Sequence, residues 1–428
     1  MSGPDPAPSH PSRLRGAVRR LAVDVTPLRI SRDFRRIWIG LLVSEAGYQF
    51  TLVATFIQVK RLTGSAAAVG LIGLVGLVGL VAGSLLGGSF IDAFDRRKLL
   101  MASQLGFIAA SGILLAGALA GKPPVWLIYG AVAISAGTSA IDSPTRSAMT
   151  PRLVGRDLLP SALALNQVIW NGTGLVGPAL AGIVIYKLGL PWAYGIDLAT
   201  YLVMLAAVAA IRPVPPERGE GTATGWGAVK EGFGYLRGRR VLQSTFAIDV
   251  IAMVFGMPRA LFPFLAASQF HAGPKVVGLL FSAPAVGAFL GALTTGWVGG
   301  VRRRGWAVIW AVGVWGAGIT AFGLVGRHLW LALAFLALAG GADVISAVFR
   351  STILQLSVPD ALRGRLSGIH ILVVTGGPRL GDLEAGLVAQ AFSPTVSVVS
   401  GGLLCIAGTA LLALFVPELR GYRAGDET

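Results

Sequence analysis

Long apolar runs, separated by short polar stretches, recur along the whole chain, and about 20 apolar residues of helix are enough to cross a bilayer core roughly 30 Å thick. Twelve runs of that kind are present. In the first half they cover Ile37–Val59, Val69–Phe90, Leu99–Leu119, Val125–Ile141, Ala164–Tyr186 and Trp192–Ile211. In the second half they cover Leu242–Phe270, Val276–Val298, Trp306–Leu324, Leu329–Phe349, Leu366–Ala391 and Thr395–Val416. The pattern predicts an all-α membrane protein of twelve transmembrane helices.

Composition agrees with that pattern. Of 428 residues, 54% are hydrophobic and only 13% charged, about half the ~25% charged share of soluble domains. This excludes a soluble enzyme and a disordered chain. The single cysteine, Cys405, cannot form an internal disulfide, so apolar packing must carry the structure.

The formal charge of +16, from 36 Lys and Arg against 20 Asp and Glu, would suggest nucleic acid in a soluble chain. Its distribution says otherwise. The N-terminal arm, the loops after the even-numbered spans and the tail hold 28 of the basic residues, and the five opposite loops hold six. Positive loops stay on the cytoplasmic side, so both termini are expected to be cytoplasmic in a multi-pass cell membrane protein. No nucleic-acid partner is expected. The lipid bilayer is the surrounding medium, and basic residues from Arg13 to Arg36 can also meet anionic headgroups. No short apolar stretch leads into a small-residue cleavage site, so no removable signal peptide is expected.

The polar interval from Arg212 to Arg240, with Pro213, Pro215 and Pro216, reads as a linker between halves. The expected organisation is an arm over 1–36, a six-helix bundle over 37–211, a cytoplasmic linker over 212–240, a second bundle over 241–416 and a tail over 417–428. The halves echo each other. Arg146-Ser147 recurs as Arg350-Ser351, Gly177-Pro178 as Gly377-Pro378, and the basic loop opening at Gly88 has a weaker counterpart opening at Gly296. The offsets, 204, 200 and 208, argue for two six-helix pseudo-repeats. Such repeats, related by an axis along the membrane normal, are a transporter architecture with the substrate near midplane.

The loop Gly88-Ser-Phe-Ile-Asp92-Ala-Phe-Asp95-Arg96-Arg97-Lys98 resembles the cytoplasmic signature of the major facilitator superfamily, which implies that fold. The resemblance places Asp92 near the N-terminal end of span 11, where the helix dipole favours an anion, and pairs Arg96 with Asp142. Ala93 and Asp95 depart from the usual pattern, where a base and a glycine stand. Other stretches are similar to a narrower, enterobactin-exporter-like branch. They include Asp142-Ser-Pro144-Thr-Arg146, Leu163-Ala-Leu-Asn166-Gln167, Arg363-Gly364-Arg365 and Val416-Pro-Glu418-Leu-Arg420. Macrolide-type efflux pumps share much of this pattern. Gly177-Pro178-x-x-x-Gly182 in span 5 resembles the end of the antiporter motif, in which proline kinks the helix and glycine lets a neighbour approach. Thr173 and Ala164 stand where the fuller motif has glycine.

Three other chemistries are rejected. Gly172-Thr-Gly174-Leu-Val-Gly177 matches a dinucleotide fingerprint in letters but lacks the strand and soluble sheet that chemistry needs. There is no P-loop, and four His and one Cys at unrelated positions offer no metal cluster. No enzyme activity, cofactor or metal is expected.

Ionisable groups inside spans cost about 2.5 to 3.5 kcal/mol at a helix centre and so face the protein interior. Glu45, Tyr48 and Gln49 share one stripe of span 1 and suit a cavity. Asp249 and Arg259 in span 7 are about 15 Å apart along the helix, so each needs another partner. Asp343 lies in span 10. In span 11, Arg379 and Asp382 are spaced to pair on the helix surface. The expected function is a secondary active exporter driven by the proton gradient. It moves a siderophore or similar amphipathic small molecule by alternating access, and the chain is expected to be a monomer. Glu45, Asp249 and Glu384 are the proton-coupling candidates. Tyr48, Gln49, Arg259, Arg379 and Asp382 are the cavity candidates, the two arginines suiting an anionic cargo, and His370 is expected to be a packed residue. The alternatives are a broad drug-efflux pump and a sensor or scaffold that moves nothing.

Overall fold

The computed structural model describes residues 24–215 and 234–423, with side chains throughout except at 88–93, 360–361, 363–365 and 367–368. Its twelve long helices are α1 Arg32–Thr63, α2 Ala66–Ala93, α3 Arg96–Leu119, α4 Val125–Val154, α5 Leu159–Leu188 and α6 Leu190–Ala209, then α7 Arg240–Phe255, α8 Pro274–Leu293, α9 Arg304–Leu324, α10 Leu329–Ser357, α11 Asp360–Ala391 and α12 Pro394–Phe415. Among the described residues, eleven are long and apolar enough to cross a membrane, α7 being counted with its continuation to Ser268. The twelfth, α11, has the length, at 32 residues, and carries Arg379, Asp382 and Glu384.

Local chemistry sets the ends. Ser31, Asp95 and Ser393 accept from backbone N–H groups one turn into α1, α3 and α12, filling donors the helix cannot satisfy itself. Gly64, at φ 64°, takes the left-handed position that ends α1. Several helices run past the hydropathy limits toward the end that bears the termini. The run ending at Ile141 continues to Val154, and the run ending at Phe349 continues to Ser357. Apolar windows register only the lipid-facing slab, while a helix holds its hydrogen bonds beyond it. The run Leu242–Phe270 is not one helix. It breaks at Gly256-Met257-Pro258 and resumes as a 3-10 turn, Arg259–Leu261, and a short helix, Phe262–Ser268. In the eighth run, α8 stops at Leu293 and a 3-10 segment, Thr295–Gly300, follows.

The packing has two-fold logic. In the first half α1 packs on α5 and α6, α2 on α4, and α3 on α4 and α6; in the second, α7 packs on α11 and α12, α8 on α10, and α9 on α10 and α12. Two seams join the halves, α2 against α11 and α5 against α8, each the counterpart of the other. Along both seams glycines let backbones touch. An added Cβ at Gly73 would lie 2.2 Å from the Arg379 carbonyl, and one at Gly278 would lie 2.3 Å from that of Pro178.

Apolar side chains cover the outside, where lipid replaces water. Trp126, Trp192 and Trp330, exposed by 69%, 59% and 78%, stand near the starts of α4, α6 and α10 at the end away from the termini. Tryptophan favours that position because its ring is apolar and its N–H needs a wet partner.

Candidate functional site

Between the halves lies a cavity of about 1670 Å³, lined by α1, α2, α4, the break that follows α7, α8, α10 and α11 among others. At the end away from the termini it is sealed. Lys60 Nζ donates to the Pro263 carbonyl at 2.7 Å, and Gln390 Oε1 accepts from Ser65 Oγ at 2.9 Å and from Ala66 N at 3.0 Å. Phe56 of α1 meets Phe281 of α8 edge-on at 5.5 Å, and Phe262 meets Phe281 at 5.0 Å. Toward the termini the lining continues past Ser84, Arg146, Ser147, Ile369 and Leu372, and the cavity opens there.

The break in α7 builds the basic wall. Gly256 leaves its carbonyl free of the helix, and buried Trp315 donates its indole N–H to it at 2.9 Å. Proline at 258 has no N–H to give. The restarted turn presents Arg259, whose guanidinium donates to Asp382 Oδ2 at 3.0 Å, while Ala260 N donates to Asp382 Oδ1 at 3.2 Å. The expected pairing of Arg379 with Asp382 is therefore corrected. Asp382 serves Arg259, and Arg379 donates across the seam to the Gly76 carbonyl of α2. Spacing on one helix identified the possible pair, but a partner from the broken helix reaches the carboxylate first. Arg259, Arg379, Asp382, Tyr48 and Gln49 all line the cavity. Tyr48 stands within electrostatic reach of both arginines, and Gln49 occupies the room Gly177 leaves on α5.

Glu45 lines the cavity one turn nearer the termini. It makes no hydrogen bond or ion pair among the described residues and feels Arg146, Asp142 and Asp197 electrostatically. Asp142 pairs with Arg146 on its own helix and accepts from Gln104 Nε2 at 2.9 Å. Arg96, expected on Asp142, instead donates to the Ala148 carbonyl at 3.0 Å. The continuation of α4 brings Arg146 to Asp142 within one turn, which leaves no need for a cation from another helix. Asp95 caps α3, and Arg97 donates to the Val208 carbonyl at 3.3 Å, so this part of the loop clips α3 to α4 and α6. Gly88 and Asp92 fall where side chains lie outside the described residues.

In the second half, Asp249 is fully buried and does have other partners than Arg259. Arg350 Nη2 lies 2.9 Å from its Oδ1, and His370 Nδ1 lies 3.5 Å from its Oδ2. Arg350 also lies 3.5 Å from Asp343, which lines the cavity. Glu384 is half-buried on α11 outside the cavity lining, with no hydrogen bond or ion pair among the described residues. Pro178 lines the cavity, Gly177 packs against the Gln49 side chain, and Gly182 packs on the Pro274 carbonyl and Gly278 of α8.

Sequence reasoning missed two residues. Arg350 was noted only as an echo of Arg146, yet the same offset of 204 carries Glu45 onto Asp249 and so pointed to it. Asp197 of α6 is 1% exposed and accepts from Thr51 Oγ1 at 2.6 Å and Ser111 Oγ at 2.7 Å. Its place between Tyr194 and Tyr201 in the sixth run was the available signal. No group of three or more His, Cys, Asp or Glu suited to a metal occurs among the described residues.

Comparison with known proteins agrees with this architecture. Residues 22–425 match the major facilitator family described as a transmembrane secretion effector. The enterobactin exporter EntS of Salmonella typhi is 28% identical over 410 residues, covering 94% of this chain and 96% of that one. EntS of Escherichia coli O1:K1 / APEC is 26% identical with the same coverage. Among solved structures, the nucleoside transporter NupG superposes with a TM-score of 0.71 at 13% identity, over 91% of this chain and 99% of NupG. A D-xylose–proton symporter superposes with 0.67 at 16%, over 90% and 99%. These structures share the fold.

Proposed function

The chain belongs to the transmembrane secretion effector family of major facilitator transporters, and on that premise we propose that it exports an anionic, amphipathic small molecule of the siderophore class in exchange for protons. It is a multi-pass membrane transporter and not an enzyme. The observation that carries the reading is the cavity itself, which is sealed at one end, open at the other, apolar over most of its wall and basic at its closed end through Arg259 and Arg379. A catecholate anion with an apolar body matches both parts. EntS, similar over nearly the whole chain, is an enterobactin exporter.

With the termini on the cytoplasmic side, as the basic loops require, the cavity opens inward and loads from the cytoplasm. Export then needs the outer seal to part and the inner ends to close. The outer seal holds three hydrogen bonds, worth about 1 kcal/mol each, and an aromatic pair across the halves, worth about 1 kcal/mol. A barrier of about 4 kcal/mol is within reach of one proton and one cargo molecule binding the two states unequally. Glu45, Asp249 and Glu384 are the candidate proton carriers, because a carboxylate that gains a proton no longer needs a nearby cation when its surroundings dry.

The test is enterobactin flux from proteoliposomes against an imposed pH gradient. Flux that follows the gradient supports the reading, and none at any gradient points to a sensor or scaffold. A second reading, a broad drug pump, is favoured by the aromatic wall of Phe56, Phe107, Phe262 and Phe281. Macrolide flux without enterobactin flux would select it.

A further inference from the structure

In each half of the cavity wall one arginine serves two carboxylates. In the first half Arg146 pairs with Asp142 and lies within electrostatic reach of Glu45. In the second, Arg350 lies 2.9 Å from Asp249 and 3.5 Å from Asp343. The repeat relates the two sites through the arginine and one carboxylate, since the offset of 204 that takes Arg146 to Arg350 also takes Glu45 to Asp249, while the second carboxylates, Asp142 and Asp343, sit on the same helix of each half at an offset of 201. Both first carboxylates are on the opening helix of their half, and both arginines are on the fourth.

One cation neutralises one carboxylate. The second stands as an uncompensated anion against a mostly apolar cavity wall, an unfavourable arrangement that a proton relieves. The hydrogen bonding agrees. Asp249, which is 0% exposed, meets Arg350 and His370 as ion-pair partners, but neither of its oxygens, nor Asp343 Oδ1, has a partner in hydrogen-bond geometry. Glu45 makes neither hydrogen bond nor ion pair among the described residues. The charged and titratable groups around each site are few. Around Asp249 they are Arg350 and Asp343 from α10 and His370 from α11, with the Cys405 thiol of α12 near Arg350. Around Glu45 they are Tyr48 from α1, Arg146 and Asp142 from α4, and Asp197 and Tyr201 from α6.

We infer that each half holds one exchangeable proton, shared between the two carboxylates that its arginine serves, so that a full cycle carries two protons. Glu45 and Asp142 are the cavity-facing acids of the first site. Asp343 is the cavity-facing port of the second, with Asp249 behind it and His370 on its far side. Glu384 has no arginine at ion-pair distance among the described residues and does not line the cavity, so of the three candidate carriers the exchange keeps Glu45 and Asp249. Asp197 also stands outside it. Among the described residues it has no cation at ion-pair distance, two hydroxyls hold its Oδ2, and it does not line the cavity, so it takes no part in the exchange. The inference deepens the proton-coupled reading and rests on it, but its test uses no cargo. A failure to move enterobactin and a failure to bind protons are therefore separate results.

The experiment is a pH-difference infrared measurement, in the carboxylic-acid carbonyl region, on the full chain reconstituted in lipid. Two titrating carboxyl signals are expected. Because each proton belongs to a pair, removing either member should abolish it. Glu45→Gln and Asp142→Asn should each erase the first signal and spare the second, Asp249→Asn and Asp343→Asn should each do the reverse, and Glu45→Gln with Asp343→Asn should erase both. His370→Gln should move the midpoint of the second signal alone, and Asp197→Asn should leave both in place. If buried Asp249→Asn does not fold, Asp343→Asn, at the cavity surface, reports on the same site. A second signal that survives Asp343→Asn, a first that survives Asp142→Asn, or a first lost in Asp197→Asn overturns the inference.

Discussion

Gly278→Ala tests the seam beside the sealed end of the cavity. The added methyl would sit 2.3 Å from the Pro178 carbonyl and 3.0 Å from the Gly182 Cα, where 3.4 Å or more is ordinary contact. Both neighbours are backbone, so no side-chain rotation relieves the clash and α5 must move off α8 by about 1 Å. That displacement breaks the hydrogen bond from Ala179 N to Ser282 Oγ, 3.1 Å across the same seam, which is worth about 1 kcal/mol. It also loosens the Lys275 ammonium from the Tyr186 ring, 4.0 Å away, for about another 0.5 to 1 kcal/mol. The closed outer end should lose about 2 kcal/mol, close to a 30-fold change in the ratio of closed to open forms. Spin labels on Lys187→Cys and Arg327→Cys, exposed positions on opposite halves, would read it by dipolar spectroscopy, since native Cys405 is buried. A second, longer distance is expected in the variant. As a control, Gly313→Ala meets no atom within 4 Å and should leave the distribution alone. A wild-type distribution in Gly278→Ala with unchanged thermal stability would refute the claim that this backbone contact helps hold the sealed end closed.

Other outcomes follow from the same geometry. Trp315→Phe removes the donor to the Gly256 carbonyl and should cost about 1 to 3 kcal/mol, read as a lower Tm of the purified protein. Asp382→Asn keeps an acceptor for Ala260 N but leaves Arg259 without its counter-charge. Because that arginine side chain is 29% exposed to the cavity, the loss should be about 1 to 2 kcal/mol, below the ~3–5 for a fully buried pair, and a thermal double-mutant cycle with Arg259→Gln should recover most of it. Arg259→Gln should raise the KM for enterobactin about tenfold while sparing a neutral macrolide, and equal effects on both would remove the arginine from cargo recognition.

Much of the fold was legible because bilayer crossing is a strong constraint. Lengths of apolar helix, basic loops on one side and a repeated Arg-Ser and Gly-Pro at nearly constant offset need no tertiary information, and they led to twelve helices in two matched halves. They also placed Glu45, Tyr48, Gln49, Arg259 and Arg379 on a common cavity, since a polar group in lipid has to face inward. The partners were not legible. Ion pairing depends on which side chains from different helices meet, and periodicity describes only one helix at a time. Arg96 therefore went to Ala148 rather than Asp142, and Asp382 to Arg259 rather than Arg379. The break after Phe255 turned Arg259 toward a carboxylate 123 positions away, and its glycine and proline marked only that a break was possible. The chain by itself determined how many times it crosses and which groups cannot face lipid, because those follow from local hydrophobicity. The tertiary structure decided which end is sealed, which arginine is shared by which acids and which glycines carry the seams, because these depend on distances between helices far apart in sequence.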